Sequence, residues 1–427
     1  MRWFLYTLFA FALCSTAVSA TQPGIQRPGP DDLKLALFLP KQACKVGEPI
    51  PFVLKVTNVS DKEFRYFDAA WQKRRPWNYG IEVMDSLGKS VPMISPPMVI
   101  SAIMAQLKIA PKETVTFEGF VNRSCSLDKP GEYTAYAHWN NAAPVGSPQQ
   151  PPIESNGVAF RVEETTAASR DARLSAALKQ FEEAQGRDQR LDALDILGFT
   201  LDPRAIPTVV KASRESDLAY EPEYVLFGFP DREAVRSGLV EELRSYGPYE
   251  KLDYMLSHLK VPGETTVPLL AKWVREGDTE QRSSALHALF MVGDYVDQSL
   301  KVDIVEALQD KDRMVRDHAI LALGAGRYGD VLEELMPLAE SDPDRTVRGQ
   351  ATTALGWQKD DRAVPLLEKL TADPTKELSY AAVNALETIG SPTAKAALER
   401  CAQSSDAKMQ EQCRQALENL SRRAGDK

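Results

Sequence analysis

Between residues 312 and 356 one motif is written twice. Asp312, Arg313, Val315, Arg316, Ala319, Ala322, Leu323 and Gly324 recur as Asp344, Arg345, Val347, Arg348, Ala351, Ala354, Leu355 and Gly356, all eight at an offset of 32 residues. A fixed period of this size marks a solenoid. Each unit is one supersecondary element that cannot bury its apolar face alone, and stacking on its neighbours supplies the core.

Weaker copies extend the pattern in both directions. An amphipathic helix marked by Leu174, Ala177, Leu178 and Phe181 ends at Gly186. Units follow at 188–198, 265–277, 278–293 (Ala285, Ala288, Leu289), 373–390 (Ala385, Leu386) and 407–420 (Ala416, Leu417). The opening Asp202-Pro203-Arg204-Ala205-Ile206-Pro207 has a counterpart in Asp360-Asp361-Arg362-Ala363-Val364-Pro365. Apolar residues three and four apart place these stretches on helices. Residues 221–263 are less regular. The helical region is expected to cover 168–421.

The signature is Asp-x-x-Val-Arg, alanines three apart, Leu-Gly, then a second apolar stripe. It resembles HEAT repeats, in particular the HEAT-like type first named for phycobilisome lyases. The resemblance implies paired antiparallel helices stacked into a curved arm, an α-solenoid of armadillo-like architecture, with the second helix of each pair on the concave side. Lys272, Trp273, Arg275, Glu333, Glu334, Glu368, Lys395, Glu399 and Arg400 are the positions expected there. It also implies that Arg316 and Arg348 join acidic neighbours in a ladder through the stack. Small residues such as Ala319 and Ala351 agree, since they let helices approach closely.

Ahead of this region the hydrophobic period is 2. Leu33, Leu35, Leu37 and Leu39 alternate, as do Phe52, Leu54 and Val56. Further strands are expected at 64–67, 80–84, 114–121, 132–139 and 158–162. Turn residues at 46–49, 86–89 and 129–131 separate them, the pattern of a β-sandwich over 33–164. Gly47-Glu48-Pro49-Ile50-Pro51, Val56-Thr57-Asn58 and Pro130-Gly131-Glu132-Tyr133-Thr134 give it a resemblance to immunoglobulin-like domains of bacterial envelope proteins. That resemblance implies a corner tyrosine at Tyr133, its hydroxyl bonding back to backbone. Ala135 stands where antibody domains carry their second cysteine. The fold class expected is therefore two-domain, an all-β immunoglobulin-like sandwich followed by an all-α HEAT-repeat solenoid.

Residues 1–20 read as a signal peptide: Arg2, an apolar run from Trp3 to Leu13, and Val18-Ser19-Ala20 before Thr21. A membrane anchor is the competing reading, and it needs an apolar run of about 20 residues. A bacterial signal implies an exported protein, periplasmic or extracellular, with no membrane insertion after cleavage. Residues 21–166 carry 16 basic and 15 acidic side chains, and residues from 167 onward 34 and 45, a net of −11. An acidic second half argues against nucleic acid, which needs a basic footprint.

Four cysteines remain after cleavage, Cys44, Cys125, Cys401 and Cys413. None has Cys-x-x-Cys spacing, and an even number in an exported chain permits disulfides. Cys44 and Cys125 each precede a glycine turn and are a bridge or two unpaired thiols. Cys401 and Cys413 both have core-face spacing on the last two helices. They are a staple of the terminal hairpin or two buried thiols.

The search for chemistry finds no metal or cofactor signature. His138, His258, His287 and His318 are scattered, and no Gly-x-Ser-x-Gly, Walker, Rossmann or His-Glu-x-x-His pattern occurs. The expectation is a protein that is not an enzyme and needs no cofactor. One loop stands out: Trp71, Lys73, Arg74, Arg75, Trp77 and Tyr79 bring aromatics and cations together. Such a loop stacks on sugar rings or grips an anionic partner; otherwise the aromatics cap the core. Asn58, Asn122 and Asn419 head glycosylation sequons, which matter only in a eukaryotic secretory host. The functional expectation is an envelope scaffold or adaptor that binds a protein partner on the concave face of the arm. The alternative is a carbohydrate or cell-wall binding protein acting through the 71–79 loop.

Overall fold

The computed structural model describes residues 31–69, 79–94, 104–139, 153–218, 220–292, 295, 297–324 and 328–425. They fall into two compact units. One runs up to Val209 and includes Asp217–Asp231; the other takes Val210–Ser216 and everything from Arg232 onward.

The first unit opens with ten strands: β1 (Leu33–Phe38), β2 (Ala43–Lys45), β3 (Pro51–Asn58), β4 (Phe64–Ala69), β5 (Tyr79–Asp85), β6 (Met104–Ile109), β7 (Thr114–Phe120), β8 (Gly131–Trp139), β9 (Ile153–Glu154) and β10 (Val158–Glu163). One sheet has the order β1-β3-β7, a second β2-β10-β8-β5 with β9 on β8, and β4 pairs with β6. The period-2 pattern sets the register: Leu35 faces Val56, and Leu54 faces both Leu37 and Phe117 across its two neighbours. Because alternate side chains share a face, this register puts Leu35, Leu37, Leu54 and Val56 in a core with Ile81, Val83, Ala135, Ala137 and Phe160 of the second sheet. β2, β6 and β9 were not anticipated. β2 and β9 are too short to display a period, and β6 begins in a run with no polar alternation.

Helices complete this unit: α1 (Ala167–Glu183), α2 (Gly186–Phe199) and, after α3 (Ile206–Ala212), α4 (Glu221–Gly228). They are bonded to the strands. Arg123 donates from Nε and Nη2 to one Asp195 oxygen of α2, at 2.8 and 2.6 Å. Arg173 of α1 donates to the Val46 carbonyl at 2.6 Å, and the Phe120 and Phe199 rings lie 5.3 Å apart. Gly47, at φ +84°, sits in this seam. A Cβ there would lie 2.8 Å from Arg173 Nη1 and 2.9 Å from the Thr200 carbonyl, so only glycine fits.

The second unit alternates two kinds of helix. The first kind comprises α6 (Glu250–His258), α8 (Thr279–Val292), α10 (Arg313–Gly324), α12 (Arg345–Gln358) and α14 (Lys376–Ile389). The second kind comprises α5 (Arg232–Ser245), α7 (Gly263–Glu276), α9 (Lys301–Ala307), α11 (Leu332–Ser341), α13 (Val364–Leu370) and α15 (Pro392–Cys401); α16 (Ala407–Gly425) closes the chain. Successive first helices touch closely. A Cβ on Gly324 would lie 2.7 Å from the Ala354 Cβ, and one on Gly356 2.7 Å from the Ala385 Cα. Ala319, Leu323, Ala351 and Leu355 are fully buried between the layers. Aspartates cap the first helices: Asp344 accepts from the Thr346 and Val347 amides, as Asp312 does from Met314 and Val315.

Candidate functional site

The arginine of the repeated motif is a structural group. Arg316 of α10 donates from Nε and Nη2 to the two Asp342 oxygens, at 2.9 and 3.0 Å, and from Nη1 to the Asp310 carbonyl at 2.8 Å. Arg348 donates to the Asp342 carbonyl, and Arg282 to Asp310 Oδ2. The ladder therefore runs Arg282, Asp310, Arg316, Asp342, Arg348. Its acids, Asp310 and Asp342, also recur at an offset of 32 residues just upstream of the motif, and reading the motif from Asp312 missed them. The same logic pairs Arg214 with Glu242 at 2.5 and 2.8 Å.

The positions expected to line the arm sit on the second helices, and ion pairs between neighbours absorb most of them. Arg275 holds Asp303, Lys301 lies 3.7 Å from Glu334, Lys369 holds Glu340, and Arg400 grips Glu368 at 2.5 and 2.7 Å. Lys395 and Glu399 are an i,i+4 pair 4.0 Å apart, and Glu333 is exposed. Trp273 is an anchor of the stack: its indole N–H donates to the Leu243 carbonyl at 3.0 Å, and Lys272 lies over its ring.

Trp71, Lys73, Arg74, Arg75 and Trp77 lie outside the described residues. Tyr79 belongs to β5 and is 7 % exposed, its ring edge-on to Phe52 at 6.1 Å and against Phe117 at 5.0 Å. It is a core residue and not a sugar-stacking one, because strand alternation turns it inward.

The cysteines divide. Cys401 and Cys413 are joined, with Cα atoms 5.9 Å apart across the turn between α15 and α16. Cys44 and Cys125 are separate buried thiols, which corrects the reading of a bridge between them. Cys44 is held in β2 beside β10, whereas the backbone at Cys125 pairs antiparallel with that at Met93. Burial pushes the Cys44 thiol up to about 11 and the Cys125 thiol up to about 12, so neither is a nucleophile near neutrality. Asn58 is fully buried, donating to the Lys62, Ile109 and Ala110 carbonyls, and is no glycan acceptor.

Three of the four histidines, far apart in sequence, come together on successive first helices. The His287 and His318 rings lie 4.9 Å apart, Tyr254 is 5.6 Å from His287, and His258 is 5.9 Å from Tyr254. His318 Nδ1 lies 2.9 Å from both the carbonyl and the hydroxyl oxygen of Ser283. His287 Nδ1 lies 3.4 Å from Asp253 Oδ2. Burial, and then the charge it would share with His318, lowers His287 to about 4; burial lowers His318 as well. Burial, and then Glu250, raises Asp253 well above the usual carboxylate range. Both rings are thus neutral near pH 7. Sequence reading missed this group because each histidine belongs to a different repeat. His138 stands apart on β8, 2.9 Å from Glu82. Among the described residues no cluster of three or more His, Cys, Asp or Glu side chains is arranged to hold a metal, and no helix is long and apolar enough to cross a membrane. A cavity of about 20 Å³ beside Arg123, Ser126 and Asp195 has room for one water at most.

The class this geometry defines is a helical repeat array. Residues 267–352 and 332–418 match the profile of HEAT repeats, so this stretch is a HEAT-type repeat array. No curated protein matches the chain. Among solved structures, the chain is similar to Escherichia coli YibA, with 13 % identity and a TM-score of 0.40 over 61 % of this chain and 98 % of that one. It is also similar to a designed armadillo repeat protein in complex with the peptide (KR)4, at 18 % identity and TM-score 0.30 over 50 % and 99 %. A third is human deoxyhypusine hydroxylase in complex with glycerol, at 20 % identity and TM-score 0.26 over 60 % and 98 %. Repeat proteins of this kind commonly bind protein partners.

Proposed function

We propose that this protein is an exported, non-enzymatic scaffold of the cell envelope that binds a protein partner along its helical repeat array. The observation that carries the reading is the HEAT-type array itself, helix stacked on helix with an arginine–aspartate pair inside the stack. Export is supported by the apolar leader ending in Val18-Ser19-Ala20 and by the Cys401–Cys413 bridge, which persists only in an oxidising compartment. An immunoglobulin-like sandwich for the strand region is supported by sheets that are antiparallel except for the β2–β10 pair and surround one core, and by Tyr133, whose hydroxyl donates to the Lys129 carbonyl at 2.9 Å.

The first helices are the better binding face. They touch through glycine and alanine, whereas long ion pairs span the second helices.

The test is capture of partners from a lysine-cross-linked envelope extract with the full mature chain as bait. Cross-links from one enriched protein to lysines of residues 232–425 are expected. Cross-links confined to lysines of residues 31–163, or glycan in place of protein, refute the reading.

A further inference from the structure

The two helix layers of the second unit are joined in different ways. Successive first helices pack backbone to backbone, close enough that a Cβ on Gly356 would lie 2.7 Å from the Ala385 Cα. The backbones of successive second helices meet far less. Long side chains cross the gaps instead. Arg275 of α7 reaches Asp303 of α9 at 2.7 Å, and Lys301 of α9 lies 3.7 Å from Glu334 of α11. Lys369 of α13 reaches Glu340 of α11 at 2.8 Å, and Arg400 of α15 holds Glu368 of α13 at 2.5 and 2.7 Å. Arg362, just before α13, adds a link to Asp330, just before α11, at 2.7 Å. Every neighbouring pair of second helices from α7 to α15 is therefore bridged by an ion pair.

These pairs lie in water. The Arg275, Lys369 and Arg400 side chains are 50, 69 and 58 % exposed, whereas those of the Arg316–Asp342 pair inside the stack are 10 and 3 % exposed. An exposed pair contributes only about 0.2–1 kcal/mol, and salt screens it; a buried pair is screened much less. Contacts through glycine and alanine carry no charge to screen. Salt thus weakens what joins the second helices and spares what joins the first. Small electrostatic forces can set the spacing of the second helices, because little direct packing between them opposes a change.

We propose that the ion pairs of the second helices form a salt-dependent zipper. At low ionic strength they hold α7, α9, α11, α13 and α15 together; at high ionic strength these helices move apart, and the first helices keep their spacing and act as the hinge. Nothing in this device depends on the scaffold reading above. Net charge acts in the opposite sense: residues from 167 onward carry −11, and screening that repulsion draws helices closer. The sign of the response therefore separates the two effects.

The experiment places pairs of spin labels on the full chain. Glu264→Cys/Thr393→Cys labels second helices α7 and α15, and Glu280→Cys/Asn384→Cys labels first helices α8 and α14, all at exposed positions. Distances are read by double electron–electron resonance at about 10 mM and about 1 M sodium chloride, where the Debye length is about 30 and about 3 Å. The 264–393 distance should lengthen in high salt while the 280–384 distance stays constant. In Arg275→Gln/Lys369→Gln/Arg400→Gln the 264–393 distance should be long already in low salt and cease to respond. These three side chains are at least half exposed, so the variant leaves the core intact. Lys311→Gln/Lys376→Gln/Lys408→Gln removes the same charge at exposed positions away from the second helices and should keep the response. A 264–393 distance that shortens or does not change overturns the proposal, as does equal lengthening of both distances. So does a response kept in full by the first triple variant or lost equally in the second.

Discussion

Arg316 holds both carboxylate oxygens of Asp342 from one helix layer to the other, while Arg348, a repeat further on, bonds to the same aspartate's carbonyl. The side chains of the pair are 10 % and 3 % exposed. Removing the guanidinium leaves a buried charge with no counter-ion. Arg316→Ala should cost about 3–5 kcal/mol, and Arg348→Ala, which loses a bond to a backbone carbonyl, about 1 kcal/mol. Urea denaturation of the two variants measures the difference; equal losses would mean that the bidentate pair is not what distinguishes them.

Stability should fall in acid through His287. Its folded value of about 4 lies below the ordinary 6.5, so the unfolded chain binds a proton between those limits that the folded chain refuses. Stability is therefore lost as pH drops from 6.5 toward 4 and levels off below, by on the order of 3 kcal/mol for the full displacement. Asp253 acts the other way: its raised value makes the folded chain the better proton binder, a contribution lost as pH rises above 3.8. His287→Gln should flatten the acid limb in melts between pH 4 and 7, and an unchanged limb would assign it elsewhere.

Two glycines of neighbouring first helices should respond oppositely to alanine. A methyl group added at Gly349 would meet nothing within 4 Å, and helix propensity predicts a gain of about 1 kcal/mol for Gly349→Ala. Gly324 faces the Ala354 Cβ at 2.7 Å, and overpacking predicts a loss of about 1–3 kcal/mol. Thermal melts decide it; a loss at both positions would mean that propensity is not the governing term at Gly349.

The Cys401–Cys413 bridge closes a 12-residue separation and should contribute about 3 kcal/mol on the chain-entropy account. In Cys401→Ala/Cys413→Ala, hydrogen exchange should quicken over residues 407–425 while α10 and α12 stay protected. An aromatic disulfide reagent should label neither Cys44 nor Cys125 in the native chain, since both are buried. Rapid labelling of either would contradict their burial.

Some of this was legible in residues alone. The Asp-x-x-Val-Arg spacing announced the stacked helices because the period is carried by groups that act locally: a capping aspartate, an arginine, alanines at the contact and a leucine in the core. Alternation likewise announced β1 and β3, since a strand with one buried face must alternate. The arginine-to-aspartate pairing was visible only as an implied ladder, and its acids were overlooked because they precede the motif.

What the chain determined by itself is its periodicity, and with it the kind of element at each position and the face that is buried. Tertiary structure decided which distant residues meet. The Arg123–Asp195 bond ties the turn after β7 to α2, and the compact unit runs past the change of period near residue 166 to Asp231. Tyr79 turned inward, and Cys44 and Cys125 stayed apart. His287 and His318, one repeat apart, came within 4.9 Å because stacking parallel helices brings equivalent turns together. Hydrophobic period is a property of neighbours along the chain, whereas a site is a property of neighbours in space, and only packing converts one into the other.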